Sequence, residues 1–164
     1  VTERFEIRVA VPEDALIIAQ HRAAMFSDMG ILPPDLAPQL EAATVAYLRD
    51  ALPRGEYHGW LATGGGDPAT IVAGAGVQLR RVLPFPQRQG SVERVATGRQ
   101  AIVLNVYTAP SWRRQGVARS LMERIIAWAR AEGIESLVLH ASQNGRALYQ
   151  QLGFVATNEM RLRE

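Results

Sequence analysis

From Gln100 to Thr108 the sequence is almost continuously apolar, and from Val117 to Glu132 its apolar residues recur at helical spacing. Between them lie Ala109-Pro110-Ser111-Trp112-Arg113-Arg114-Gln115-Gly116, a turn with a proline and a glycine. An apolar strand that passes through a glycine into an amphipathic helix needs a sheet around the strand and a sheet face beneath the helix. Val117, Leu121, Ile125 and Trp128 mark the helix face that should be buried, and Gly133 closes the helix. A short apolar run, Ser136–Ala141, follows. A strand–helix–strand crossover of this kind favours parallel neighbours.

The rest of the chain must be arranged around that unit. Glu6–Val11 alternates polar and apolar residues and predicts a strand. Pro12-Glu13-Asp14 opens a helix to about Ser27, with Ala15, Leu16, Ile18, Ala19, Ala23 and Phe26 as its apolar positions. Gly30–Pro34 breaks it. Asp35–Leu52 predicts a second helix, with Leu36, Leu40, Ala43, Tyr47 and Leu48 on one face. Tyr57–Ala62 and Thr70–Leu79 flank a glycine-rich turn and predict an antiparallel pair. Arg81–Gly98 is the least patterned stretch and predicts a long loop or a mobile hairpin. Asn144–Leu152 predicts a short helix closed by Gly153, and Phe154–Leu162 a last strand. The expected fold is α/β, with a mixed, mostly antiparallel sheet and helices on both faces.

Composition removes several chemistries. The 164 residues suit one domain. No cysteine is present, which excludes disulfides, thiolate nucleophiles and Cys-based metal sites, and fits a cytoplasmic protein. All 18 basic residues are arginine, so Schiff-base lysines and the lysine of a P-loop are excluded. The formal net charge is only +2, and no dense basic stripe points to nucleic acid. No apolar run reaches the length of a membrane span, and residues 1–6 lack the apolar core of a signal segment. No metal site is expected.

The turn before Val117 carries the chemistry. Free N–H groups and the positive dipole end at a helix N-terminus form an anion site. With 18 arginines in 164 residues, about one is expected in the eight residues Arg113–Ser120; three are present, Arg113, Arg114 and Arg119. No carboxylate lies in that first turn, and cations there are disfavoured. A bound polyanion would reverse the penalty; a solvated arginine face is the alternative. The dinucleotide fingerprint is absent, and the P-loop pattern fails for lack of lysine.

Arg113-Arg114-Gln115-Gly116-Val117-Ala118 resembles the acyl-CoA-binding motif of GNAT-type N-acetyltransferases, [RQ]-x-x-G-x-[GA]. Ala147-Leu148-Tyr149-Gln150-Gln151-Leu152-Gly153-Phe154 resembles a second signature of that family, and the order of elements over nearly the whole chain is similar. The resemblance implies a single N-acetyltransferase domain over residues 1–164, with a V-shaped splay between two central strands. It implies that backbone amides from Gln115 to Ser120, together with Gly116, Val117, Ala118 and Arg119, bind the pyrophosphate of acetyl-CoA. It implies that the pantetheine arm lies along Val106, Tyr107 and Thr108 and touches Asn144. Tyr149 matches the family's usual general acid, which protonates the departing thiolate; the alternative is a rim aromatic with its ring on the core.

The general base is less defined. Relatives place a glutamate on the strand equivalent to Gln100–Thr108, where this chain offers only Asn105. Glu93, Glu56, His21, His58 and His140 are further candidates, each equally readable as an ordinary structural residue, and a water chain could replace them. The acceptor site is expected between Ser27–Ala37 and Arg81–Gly98, with Met25, Phe26, Met29 and Leu32 either lining it or in the core. The expected activity is direct acetyl transfer from acetyl-CoA to an unidentified primary amine. The rival is a non-catalytic acyl-CoA-binding module, for which the missing glutamate speaks. No nucleic-acid or membrane partner is expected, and a homodimer is left open.

Overall fold

Seven strands and four α-helices follow one another in a computed structural model that describes residues 4–163. Residues 1–3, read above for a leader segment, and residue 164 lie outside the described residues. Strand β1 (Phe5–Val9) leads into helix α1 (Ala15–Asp28), and helix α2 (Ala37–Ala51) returns to β2 (Tyr57–Gly64) and β3 (Ile71–Arg81). A small hairpin, β4 (Phe85–Gln89) and β5 (Val92–Ala96), precedes β6 (Arg99–Thr108). Helix α3 (Val117–Ala131), β7 (Ser136–Leu139) and helix α4 (Gln143–Gln151) complete the order.

The main sheet runs β1-β2-β3-β6-β7. All its pairs are antiparallel except β6 with β7, the two strands joined by α3, so the crossover is parallel as expected. Both faces are covered. Trp60, Ala62, Val103, Leu121, Met122 and Ile125 form one core, against α3. Ala15, Ile18, Leu48, Tyr57 and Leu61 form the other, against α1 and α2. Asp14 fixes the entry to α1: it accepts from the Val11 amide at 2.8 Å and pairs with Arg8 at 2.7 Å. The Arg8 guanidinium holds the Asp14 carboxyl below its ordinary range.

Several expectations are corrected. The segment 154–163 carries no strand, and Val155, Met160 and Leu162 are exposed. The stretch between β3 and β6, expected as a long loop or a mobile hairpin, is a hairpin with its own ladder. Leu16, Leu36 and Tyr47 are exposed, and Leu48 is the one fully buried member of its predicted face. The buried helix face predicted for α3 holds at Val117, Leu121 and Ile125, with Trp128 half-buried beside them.

Candidate active site

β6 and β7 share rungs from Gln100↔Ser136 to Val103↔Leu139 and no further. From Leu104 to Thr108, β6 continues on β3 alone, so a cleft opens between the two parallel strands, as the splay requires. Opposite Ala75 the ladder carries one residue too many: Leu104 pairs with Gly76 and Tyr107 with Gly74. This is a β-bulge, and Asn105 sits in it with φ +57°, a left-handed value that asparagine tolerates better than most residues. The Ala109 amide donates to the Val72 carbonyl at 2.8 Å, which fixes the alternation along the strand. Tyr107 therefore bonds toward β3, while the backbone groups of Val106 and Thr108 face the cleft.

The turn into α3 contains two left-handed residues, Arg114 at φ +61° and Gly116 at φ +83°. A Cβ at Gly116 would meet nothing within 4 Å, so glycine here serves the backbone and leaves the approach open. Gly116 caps the helix without a side-chain bond. The first intrahelical bond is Ser120 N–H to Gly116 C=O at 3.0 Å, which leaves the amides of Val117, Ala118 and Arg119 without helical acceptors. The Ser120 amide, by contrast, is engaged within the helix. Gln115 folds its side chain onto the Ser111 carbonyl at 2.8 Å and braces the turn.

The three arginines are not equally free. Arg113 pairs with Asp28 at the end of α1, and its Nε donates to the Thr108 carbonyl at 2.9 Å. Arg119 donates to the Gln151 side chain and lies 4.0 Å from Glu123. Arg114 alone has no protein partner among the described residues. The sequence shows no carboxylate in the first turn; the fold brings Asp28 there from 85 residues away.

Sequence reading missed a polar cluster beneath the bulge. Asn105 is buried; its Nδ2 donates to the Tyr57 hydroxyl at 3.1 Å, and its Oδ1 accepts from Arg22 Nη1 at 2.6 Å. Gly76 makes room for this tyrosine, because a Cβ there would overlap the Tyr57 hydroxyl. The Arg22 guanidinium lies over the Phe26 ring, 4.7 Å from its centroid. His21 packs on Tyr107 at 4.8 Å, with a buried Nδ1 that has no partner among the described residues. Burial lowers the His21 pKa to about 4 and pushes the Tyr57 phenol up to about 12, so both are neutral near pH 7. An asparagine inside an apolar strand was the signal available in the sequence.

Tyr149 lies on α4, half-buried, edge-on to Phe154 at 6.1 Å, and burial raises its phenol above the ordinary value. Asn144 is exposed in the first turn of α4, behind the Ser142 cap. The other base candidates are committed elsewhere. Glu93 pairs with Arg88, Glu56 with Arg54, and His140 with Glu159 at 2.8 Å. His58 is bonded to the Gly55 carbonyl at 3.1 Å and lies tilted against the Trp128 ring. The β4–β5 hairpin is anchored by Glu135 at the foot of β6, through the amides of Thr97 and Arg99. Of the two expected acceptor segments, the structure brings the α1 side to the cleft and the hairpin to the opposite end of β6. Among the described residues no His, Asp and Glu group is arranged for a metal, and no helix is long and apolar enough to cross a membrane.

Comparison with known proteins agrees with this geometry. Residues 28–154 match the acetyltransferase (GNAT) family. A GCN5-related N-acetyltransferase from Ralstonia eutropha is 29% identical, with 98% of each chain covered and a TM-score of 0.83. A predicted acetyltransferase with acetyl-CoA from Clostridium acetobutylicum is 26% identical, with 98% of this chain and 96% of that one covered, at a TM-score of 0.77. A possible acetyltransferase from Clostridium difficile, 19% identical over 99% and 97% of the two chains, shares the fold at a TM-score of 0.71. The comparison with curated proteins gave no match. The chain belongs to the acetyltransferase (GNAT) family. It is therefore an acyltransferase whose cosubstrate is acetyl-CoA.

Proposed function

We propose that residues 1–164 form one N-acetyltransferase domain that moves an acetyl group to a primary amine by direct attack in a ternary complex. The observation that carries this is the cleft between β6 and β7, which ends on the open turn at Gly116 and the free amides of residues 117–119. Those amides, with Arg113, Arg114 and Arg119 around them, suit a pyrophosphate, and the cleft-facing backbone of Val106 and Thr108 suits the pantetheine amides. Acetyl-CoA supplies the acetyl group as an activated thioester.

The chain's own residues then have distinct tasks. An amide N–H at the bulge is placed to polarise a carbonyl in the manner of an oxyanion hole. Tyr149, kept protonated by burial, gives its hydroxyl proton to the leaving sulfur as the carbon–sulfur bond breaks. An amide has no basicity near neutral pH, so Asn105 acts by positioning, and the proton shed by the amine passes to water. Without a cysteine, no thioester forms on the enzyme. The proposed setting is the cytoplasm.

Thermal denaturation with ligands tests the reading. Acetyl-CoA at about 100 times its Kd should stabilise by roughly 2.7 kcal/mol. ATP and NAD at equal concentration should do much less, because they lack the pantetheine arm. A larger shift with NAD would overturn the assignment, and release of free thiol on adding amines would establish turnover.

A further inference from the structure

Arg22 is a cation without a counter-charge. Its one hydrogen bond among the described residues goes to the Asn105 amide oxygen, a neutral acceptor. No carboxylate there lies within 4.0 Å of it, whereas Arg8 and Arg119, the other half-buried arginines among the described residues, both have acidic partners. A guanidinium offers five N–H donors, so most of its fork remains unused. The side chain is half-buried, and removing a charge from water without an opposite charge is unfavourable.

The surroundings fix its direction. Phe26 covers one face of the guanidinium, and Asn105 is locked by Tyr57 with its carbonyl toward Arg22. Asn105 lies two residues beyond Val103, the last rung between β6 and β7, and so at the mouth of the cleft. His21 and Tyr57 beside it carry no negative charge at neutral pH to offset the guanidinium. The acetyl acceptor must approach this end of the cleft from the α1 side, because α3 closes the other face.

We propose that Arg22 selects acceptor amines that carry an oxyanion, a carboxylate or a phosphate, by presenting the unused edge of its guanidinium at the mouth of the β6–β7 cleft. This rests on the acetyltransferase reading above. Arginine suits the role because its planar fork matches both oxyanions with two parallel hydrogen bonds.

Calorimetry on the protein saturated with CoA tests it, using matched probes: glycine against glycinamide, L-alanine against L-alaninamide, and O-phosphoethanolamine against ethanolamine. The anionic member of a pair should bind about 10–100-fold more tightly, the range of charge-assisted hydrogen bonds. The first two pairs report a carboxylate site and the third a phosphate site. Arg22→Gln should bring the ratio to about one, and Arg22→Lys should keep part of it. Wild-type protein that binds CoA but takes neutral and anionic members equally, or takes none of the anionic ones, overturns the proposal and leaves the acetyltransferase reading standing. A ratio unchanged in Arg22→Gln overturns it too. Wild-type protein that binds neither CoA nor acetyl-CoA overturns both. If Arg22→Gln fails to fold, the wild-type ratios and the Arg22→Lys variant still decide.

Discussion

Asp28, the last residue of α1, forms an ion pair with Arg113 in the turn that opens α3, and the same arginine holds the Thr108 carbonyl at 2.9 Å. One side chain thus ties the end of α1 to the end of β6 and to the turn that opens α3. Removing either partner should move acetyl-CoA affinity in opposite directions. Arg113→Ala removes a cation beside the proposed phosphate site and should weaken binding by about 1–3 kcal/mol. Asp28→Asn removes a competing anion and should tighten it slightly. Both side chains are nearly half exposed, so their coupling in urea melts should stay below about 1 kcal/mol. Isothermal titration of the two variants checks the signs.

Gly116 should be costly to replace for a backbone reason alone. A Cβ there meets open space, but φ is +83°. Gly116→Ala should lose about 1–2 kcal/mol of stability, and Gly116→Asn less, since asparagine tolerates the left-handed region. Gly116→Glu should also weaken acetyl-CoA binding, because it adds an anion at the proposed phosphate site. Urea denaturation separates the backbone effect from the charge effect, which titration reads.

Tyr149→Phe removes one hydroxyl from a half-buried ring. Turnover should fall about 10²–10⁴-fold, while KM for acetyl-CoA changes little. The alkaline limb of the wild-type kcat profile should lie above the ordinary tyrosine range, since burial raises this phenol. Stopped thiol-release assays across pH provide both readings, and near-normal turnover in the variant would make Tyr149 a packing residue.

His21 predicts an acid-sensitive fold. Its folded-state pKa of about 4 lies below the unfolded value of 6.5, so the unfolded chain binds the proton first. The stability it contributes is present above pH 6.5 and is lost as pH falls through 4, by up to about 3 kcal/mol. Glu135, held near a pKa of about 2 by the Thr97 hydroxyl and the Arg99 and Thr97 amides, adds its loss lower, between 4.5 and 2. In His21→Leu the slope between pH 6.5 and 4 should flatten, and the unpartnered Nδ1 disappears. Denaturant melts over about pH 2–8 resolve the two windows.

The sequence made the strand–turn–helix unit legible because periodicity and glycine placement are local properties. The order of the other elements followed for the same reason. What it could not show depends on partners. Phe154–Leu162 has enough apolar residues for a strand, but a strand exists only where another edge receives it, and Met160 and Leu162 are left more than 90% exposed. The Asp28–Arg113 and Arg22–Asn105 pairs join residues 85 and 83 positions apart, beyond any local pattern. The hairpin after β3 was ambiguous because its order rests on Glu135, 38 residues beyond Thr97.

The single extra residue at Asn105 reverses the parity of β6. Below it, odd-numbered Ala101 and Val103 point into the core under α3; above it, that duty passes to even-numbered Val106. Odd-numbered Asn105 and Tyr107 are thereby turned to the α1 side, against Tyr57 and His21. One strand can in this way be a plain hydrophobic beam over its first half and a polar wall over its second, without a change of direction. Without the bulge, strict alternation would carry the odd phase onward, placing an amide and a phenol under α3 and a valine on the α1 side. The chemistry of this protein is thus set by a counting offset in its central strand as much as by the side chains that strand carries.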